Sequence, residues 1–183
     1  MMKSRTELAK YFNQLGFKRG AEIGVADGRY SECLCREIPN LKLFCIDPWD
    51  TYGGNQRGGG KSMQYGNYEL AQKRLERYGA TLIRKVSMDA VKDFPDGSFD
   101  FVFIDGNHDF DYVMQDLIEW SKKVRMGGIV AGHDYYVFKK SGVIEAVDIY
   151  VKMHNIKLSL IVPEVRNDTP YDERHPCFYW MRT

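Results

Sequence analysis

Hydrophobic and polar positions follow two alternating patterns along the chain. Short apolar runs, typical of buried strands, recur between segments in which apolar residues are spaced for one face of an α-helix. The strands are predicted at residues 21–25, 41–47, 81–86, 98–105, 127–132, 156–162 and 177–183. The helices are predicted at residues 4–15, 31–38, 66–79, 113–124 and 143–151. Strands that alternate with helices at these lengths predict an α/β fold with a doubly wound, largely parallel sheet and right-handed crossovers.

The length and the charge balance favour one soluble domain over residues 1–183. The 26 Lys and Arg residues offset 25 Asp and Glu residues, which leaves a formal net charge of +1. No overall field therefore attracts nucleic acid or an anionic membrane, and we expect neither as a partner. The chain has no apolar run of transmembrane length, and its first residues lack the apolar centre of a signal peptide. These features predict a cytoplasmic protein.

The cysteines are too irregularly spaced to predict a metal site. They lie at Cys33, Cys35, Cys45 and Cys177. We expect buried free thiols in a reducing compartment.

A glycine-rich segment, YGGNQRGGGK at residues 52–61, follows the second predicted strand. It has no helical or strand periodicity. Because ligands of such sheets bind at the carboxyl ends of the strands, the segment is predicted to be either a lid over a site or a disordered insertion.

The turn after the first strand has the composition of a ligand-binding turn. Gly24 lacks a side chain, so ligand atoms can approach the backbone there, and Ala26 is small enough to be tolerated. Asp47, at the end of the second strand, could bind a ribose hydroxyl of a nicotinamide dinucleotide. The turn departs from the G-x-G-x-x-G pattern of such sites, which weakens that interpretation.

Two later segments are more specific. Residues 104–108 read IDGNH, and residues 127–135 read GGIVAGHDY. Together with the first turn, Asp47 and the VSMDA segment at 86–90, they resemble the class I S-adenosylmethionine (SAM)-dependent methyltransferases. The likeness is to a small single-domain subgroup with IDG-x-H and GG-x3-GHDY segments, and it covers roughly residues 18–138. It implies a Rossmann-like sheet of seven strands with an antiparallel last strand, and SAM as the cofactor.

The resemblance also implies which residues bind SAM. They are Glu22, Gly24, Asp27, Asp47, Trp49, Ser87, Met88 and Asp105. Glu22 and Gly24 would approach the methionine portion, Asp47 would accept hydrogen bonds from both ribose hydroxyls, and Ser87 and Met88 would border the adenine. Met88 equally fits a role as core filler. Trp49 either shields the ribose or covers the core.

Carboxylates lie at the ends of two strands that are neighbours in the family's strand order. Asp105 ends the fourth strand, and His133 and Asp134 follow the fifth. Carboxylates about 5 Å apart repel each other by roughly 3 kcal/mol, so a bound cation, a shared proton, or the SAM sulfonium together with an imidazolium is expected between them. Related O-methyltransferases of catechols and sugars bind metal at these positions, which implies Asp105, His133 and Asp134 as ligands of a divalent ion, Mg or Mn. A histidine ligand favours manganese, iron or zinc over magnesium.

The histidines beside these carboxylates are candidates for acid–base chemistry. His108 and His133 each flank a carboxylate, and either one could act as the general base for a hydroxyl substrate. The predicted catalytic residues are therefore Asp105, His108 and His133. His154 and His175 have no such neighbours in the sequence and are predicted to be structural.

These residues predict methyl transfer from SAM to an oxygen of a small hydroxyl-bearing acceptor, such as a sugar or another glycan-like molecule, with possible metal assistance. Two alternatives stay open: a nicotinamide-dependent oxidoreductase, and a noncatalytic methyltransferase-like binding module. A homo-oligomer is also left open. The acceptor region is expected to include an aromatic wall at Tyr135, Tyr136 and Phe138. A further set of cations could bind a phosphate or simply face solvent: Arg57, Lys61, Lys139 and Lys140.

Overall fold

The computed structural model describes residues 2–50, 61–138, 141–165, 167, 169–170 and 173–183. Nearly all of the predicted lid, and the cations Arg57, Lys139 and Lys140, lie outside these residues, as does the side chain of Lys61. The described helices are α1 (Arg5–Gln14), α2 (Arg29–Glu37), α3 (Lys61–Leu75), α4 (Ser87–Ala90), α5 (Phe110–Lys123) and α6 (Val143–Met153). The described strands are β1 (Arg19–Ile23), β2 (Lys42–Ile46), β3 (Thr81–Ile83), β4 (Phe99–Ile104), β5 (Val124–Gly132), β6 (Ser159–Ile161) and β7 (Cys177–Met181).

The seven strands form one sheet in the order β3-β2-β1-β4-β5-β7-β6. The first five strands are parallel to one another, and β7 runs antiparallel to both β5 and β6. The predicted doubly wound, mostly parallel sheet with an antiparallel last strand is confirmed. The strand order reverses direction between β1 and β4, and ligands of open α/β sheets bind in the crevice outside such a point.

Helices cover both faces of the sheet because the central strands are apolar on both sides. On β4, Phe101 and Phe103 face the layer that contains α1 and α2, whereas Val102 and Ile104 face the layer that contains α5 and α6. Alternate residues of a strand point to opposite faces, so a strand buried on both faces is a nearly continuous apolar run. This burial fixes the register of β4 and with it the position of the residues that follow Ile104.

The first helix begins as its sequence predicts. Ser4 is the N-cap of α1, and its Oγ accepts a hydrogen bond from the Glu7 amide at 3.1 Å. The Glu7 carboxylate does not complete a reciprocal capping box; it accepts from the Lys3 amide at 2.7 Å instead. The cap nevertheless fixes the start of α1 and places Arg5 in its first turn.

Two further predictions can be compared with the described residues. All four cysteines are buried free thiols, as predicted. Within the described ranges, no helix is both long enough and apolar enough to cross a bilayer.

Candidate active site

A cleft of about 850 Å³ lies at the carboxyl ends of the central strands, where the strand order reverses. It contains most of the predicted site residues. Those that line it are Glu22, Gly24, Asp27, Asp47, Ser87, Asp105, His108, His133 and Asp134. Trp49 and Met88 are not among its lining residues.

Gly24 is required by the protein's own backbone. It has a φ of +86°, and a Cβ at this position would overlap the carbonyl group of Asp105, which directly follows the neighbouring strand β4. The sequence suggested that Gly24 makes room for a ligand, but the atoms that come closest belong to Asp105. Gly24 therefore allows the ends of β1 and β4 to approach each other, and so helps to place Asp105 in the cleft.

Asp47 organises the turn that follows β1. Its Oδ2 accepts hydrogen bonds from the amides of Val25 (2.9 Å) and Ala26 (3.0 Å), and its Oδ1 accepts from the amide of Trp49 (2.7 Å). Burial raises the pKa of this carboxyl group, while the three amide hydrogen bonds act in the opposite direction. Most of the acceptor capacity of Asp47 is thus used within the protein, which leaves room for few hydrogen bonds to a ribose.

Trp49 and Met88 both pack within the protein. The Trp49 side chain is 1% exposed, its Nε1 donates to the Ala26 carbonyl at 2.8 Å, and its ring lies 5.0 Å from that of Tyr68. Met88 packs against the core layer that contains α5. Both side chains therefore make the contacts expected of residues that fill or cover the core. Their roles in SAM binding stay predictions.

Asp27 and Glu22 lie on either side of Gly24 and have different environments. Asp27 Oδ2 pairs with Arg29 Nε at 2.8 Å and with Arg74 at 3.4 Å. Glu22 is buried and accepts a hydrogen bond from Ser31, and its burial raises the pKa to about 8. Glu22 is therefore mostly uncharged at neutral pH, whereas Asp27 is an ion-paired carboxylate.

The ends of β4 and β5 bring two carboxylates and two imidazoles together. The backbone registers Ile104 opposite Gly132, so the residues after each strand are neighbours. His108 Nε2 lies 3.0 Å from Asp134 Oδ2 and 3.7 Å from Asp105 Oδ1. His133 Nδ1 lies 3.2 Å from Asp134 Oδ1 and 3.6 Å from Asp105 Oδ2. We call Asp105, His108, His133 and Asp134 the strand-end cluster.

The charges within the strand-end cluster stabilise one another. Burial alone would raise the pKa of Asp105 and Asp134, but the two imidazoles outweigh it and hold both pKa values below their usual range. Burial would lower the pKa of each histidine, but the carboxylates raise the pKa of His108 to about 9 and that of His133 to about 9. Both imidazoles are therefore protonated at neutral pH, and they neutralise the repulsion between the carboxylates.

Arg5 and His175 are cleft residues close to the strand-end cluster that were not assigned to the site from the sequence. Arg5 is 8% exposed, its Nη1 lies 3.7 Å from Asp105 Oδ2, and its guanidinium lies 4.8 Å from the ring centre of Tyr30. His175, which was predicted to be structural, lines the cleft, stacks on Tyr136 at 4.4 Å and lies 6.1 Å from the ring of His133. Arg5 comes from the start of α1 and His175 from the segment before β7, so only the tertiary fold brings them to the cluster. His154 is exposed and lies beside Tyr150.

Part of the strand-end cluster has the geometry of a cation site. Asp105, His108 and Asp134 each offer a ligand atom, and these atoms lie within 4.8 Å of one another. The buried atoms His108 Nε2 and Asp134 Oδ1 make no hydrogen bond of good geometry to a described residue. This set contains His108 where the sequence suggested His133. Mixed carboxylate and imidazole ligands fit manganese, iron or zinc better than magnesium.

Comparisons with known proteins agree with this architecture. Residues 21–135 match the model of a family described as a methyltransferase domain. The chain belongs to this methyltransferase family. An uncharacterized protein, y4gI, of Sinorhizobium fredii is 26% identical over 121 residues, which are 64% of this chain but only 13% of that protein's length.

Solved structures of methyltransferases share the fold. An O-methyltransferase from Bacillus cereus in complex with SAH is 12% identical with a TM-score of 0.67, over 97% of this chain and 80% of that one. The O-methyltransferase TomG from Streptomyces achromogenes, involved in tomaymycin synthesis and in complex with SAM, is 15% identical with a TM-score of 0.64, over 98% and 80% of the two chains. The methyltransferase chain described here thus has the Rossmann-like fold of these O-methyltransferases.

Proposed function

We propose that this methyltransferase transfers a methyl group from SAM to an oxygen of a small hydroxyl-bearing acceptor, such as a sugar. The observation that carries the proposal is the position of the strand-end cluster in the same cleft as the Gly24 turn. One half of the cleft offers backbone and carboxyl groups to a nucleoside, and the other half offers imidazoles and carboxylates to an acceptor. The O-methyltransferases that share the fold support the proposal.

The chain has to align and deprotonate the acceptor. Methyl transfer forms an oxygen–carbon bond, breaks the carbon–sulfur bond of SAM and releases the proton of the acceptor hydroxyl. His108, whose Nε2 lies 3.0 Å from Asp134 Oδ2 and 3.7 Å from Asp105 Oδ1, is the proposed base, with His133 as the alternative. Because only a neutral imidazole accepts a proton, His108 must first lose the proton that Asp105 and Asp134 stabilise on it. A cleft that orients the acceptor oxygen toward the methyl group supplies the rest of the rate enhancement.

Asp105, His108 and Asp134 are the residues that would hold a divalent ion. Such an ion, when bound, would be chelated by neighbouring oxygens of the acceptor and would lower the pKa of the attacked hydroxyl. Two imidazolium groups can balance the charges of Asp105 and Asp134 without an ion. Metal assistance can therefore be tested independently of methyl transfer itself.

A titration with two ligands separates the proposed function from the nicotinamide alternative. We expect S-adenosylhomocysteine (SAH), the product of methyl transfer, to bind the purified chain in a calorimetric titration, and NADH to give no saturable heat under the same conditions. Binding of NADH but not SAH would contradict the proposal. The binding-module alternative predicts SAH binding without methyl transfer, so a positive titration is followed by a screen of polyhydroxylated acceptors with methyl-labelled SAM.

A further inference from the structure

His133, directly after β5, has one ring nitrogen that makes no contact within the strand-end cluster. The residue is 6% exposed and lines the cleft. Its Nδ1 faces the carboxylates of Asp105 at 3.6 Å and Asp134 at 3.2 Å. Its Nε2, on the other side of the ring, is buried and makes no hydrogen bond to a described residue. A buried polar atom without a partner in the wall of a cleft indicates a ligand atom that completes it.

The chemistry of His133 Nε2 selects the kind of ligand atom. Asp105 and Asp134 keep the ring protonated at neutral pH, so that both of its nitrogens carry hydrogen. Nε2 is therefore a donor that belongs to a charged group. Hydrogen bonds between ionised partners are shorter and stronger than those between neutral ones. An anionic oxygen thus suits Nε2 better than a neutral hydroxyl does.

Positive charge exceeds negative charge among the described residues at this end of the cleft. The charged residues are Arg5, His108 and His133 on one side and Asp105 and Asp134 on the other. Arg5 Nη1 and His133 Nδ1 approach the same oxygen, Asp105 Oδ2, at 3.7 Å and 3.6 Å. Glu22 adds little charge because its burial keeps it mostly protonated, and Glu173 does not line the cleft. An excess of buried positive charge is unfavourable unless an anion neutralises it.

His133 lies in the half of the cleft that we assign to the acceptor. The ring of His175 lies 6.1 Å from that of His133 and stacks on Tyr136, which stacks on Phe138 at 4.7 Å. These residues precede β7 or follow β5, and both strands are separated from β1 and β2 by β4. The Gly24 turn and Asp47 follow β1 and β2. We therefore expect the anionic partner of His133 on the acceptor, and not on the cofactor.

We propose that the acceptor carries an anionic group, a carboxylate or a phosphate, which His133 Nε2 binds while the acceptor hydroxyl faces His108. This inference rests on the proposed function, because it names the acceptor class of the same cleft. It makes His133 a specificity-determining residue and leaves His108 as the base. Arg5 strengthens the binding of the anion through its charge. Sugar acids and sugar phosphates are acceptors of this class.

Three small probes test the preference for an anion. They are glycolate, 2-hydroxyethyl phosphate and ethylene glycol, which share a hydroxymethyl group and have no stereocentre. Each is titrated into the isotope-labelled chain saturated with SAH, with a metal chelator present, and NMR records the imidazole nitrogens. Saturation with SAH keeps the carboxylate of the cofactor in place, so any further anion occupies the acceptor half. We expect at least one anionic probe to shift His133 Nε2 and to bind at least about 10-fold more tightly than ethylene glycol. The tighter of the two identifies the anion.

Two amides at position 133 separate the roles of the two ring nitrogens. His133→Asn places an amide donor near the position of Nδ1, toward the carboxylates, and removes Nε2. We expect it to lose the preference for the anionic probes. His133→Gln places an amide donor near the position of Nε2 and should retain part of the preference. His154→Asn, at an exposed histidine outside the cleft, is the matched control and should retain all of it.

The outcomes separate this inference from the proposed function. Equal binding of the three probes, no binding of any of them, or a full preference in His133→Asn would overturn the anionic acceptor while SAH binding itself stood. Arg5→Met is measured with SAH and with 5′-methylthioadenosine, which lacks the carboxylate. A loss confined to SAH, with the probe preference unchanged, would assign the anion to the cofactor and also overturn the inference.

Failure of the proposed function has a different signature. No binding of SAH to the folded wild-type chain would overturn the proposed function and the inference with it. Melting temperatures of the variants near that of the wild type establish that a lost preference is not lost folding.

Discussion

At the scale of single residues, the close approach of β1 and β4 depends on Gly24. Any side chain there would overlap the Asp105 carbonyl group, and the φ of +86° disfavours residues with a Cβ. We expect Gly24→Ala to destabilise the fold by about 3 kcal/mol or more, measured by chemical denaturation. Gly79→Ala is the control, since Gly79 also has a positive φ (+65°) but has no atom within 4 Å of an added Cβ. Equal losses in the two variants would mean that φ alone, and not the approach of the strands, explains Gly24.

The strand-end cluster makes a second prediction at this scale. Asp134 contributes to the raised pKa of both His108 and His133. We expect Asp134→Asn to lower both pKa values from about 9 toward the ordinary value of about 6.5, because one of the two carboxylates loses its charge. NMR titration of the imidazole protons measures this directly. His154, which lies beside Tyr150 outside the cleft, is the internal reference. A value near 9 for both histidines in the variant would show that Asp134 is not the partner that holds their protons.

Among the site residues, the sequence identified those whose position follows from strand neighbours. Asp105, His133 and Asp134 meet because β4 and β5 are adjacent, and strand ends are visible in the sequence. Arg5 and His175 could not be found in this way because they approach from a helix start and a loop far along the chain.

At the scale of elements, the predicted strands and helices correspond one to one with the main described elements. The predicted boundaries were less accurate. Residues 81–86 were predicted as one strand, but β3 ends at Ile83 and the short helix α4 begins at Ser87. An isolated apolar run cannot show where pairing stops, because the partner strand decides it. Here β3 pairs with β2 over three residues only, Thr81 to Ile83.

The junctions of β4 with α5 and of β5 with the following loop jointly supply the candidate cation site. We expect Mn²⁺ to bind the wild-type chain and His108→Ala to weaken binding by at least about 10-fold, with His175→Ala as the control outside the donor set. Because His108 must lose its proton to bind metal, affinity should increase by up to about tenfold per pH unit from neutral pH toward 9. Calorimetry at two pH values measures both effects. An Mn²⁺ affinity that changes neither with pH nor in His108→Ala would contradict metal binding at this site.

At the scale of the whole molecule, several buried groups make stability depend on pH in the same direction. The pKa values of Glu22 (about 8), Asp116 (about 7) and the two cluster histidines (about 9) are raised in the folded chain. Between the unfolded and folded pKa of each group, the folded chain binds more protons than the unfolded chain. The free energy of unfolding should therefore fall as the pH rises from about 5 to about 9.

Denaturant titrations at several pH values, with a metal chelator present, measure this dependence. Glu22 alone should contribute a slope of up to about 1.4 kcal/mol per pH unit between its unfolded value of 4.5 and about 8. Glu22→Gln removes that part of the slope while it keeps an acceptor for Ser31. Stability that rises between pH 5 and 9, or a slope that Glu22→Gln leaves unchanged, would contradict the assigned protonation states.

The central claim is that one cleft holds a nucleoside at the Asp47 turn and an acceptor at the strand-end cluster. A crystal structure of the chain with SAH tests it most directly. We predict SAH in the cleft, with its ribose at the turn that Asp47 organises and its sulfur facing Asp105 and His108. SAH bound outside this cleft, or with its sulfur turned away from the cluster, would contradict it.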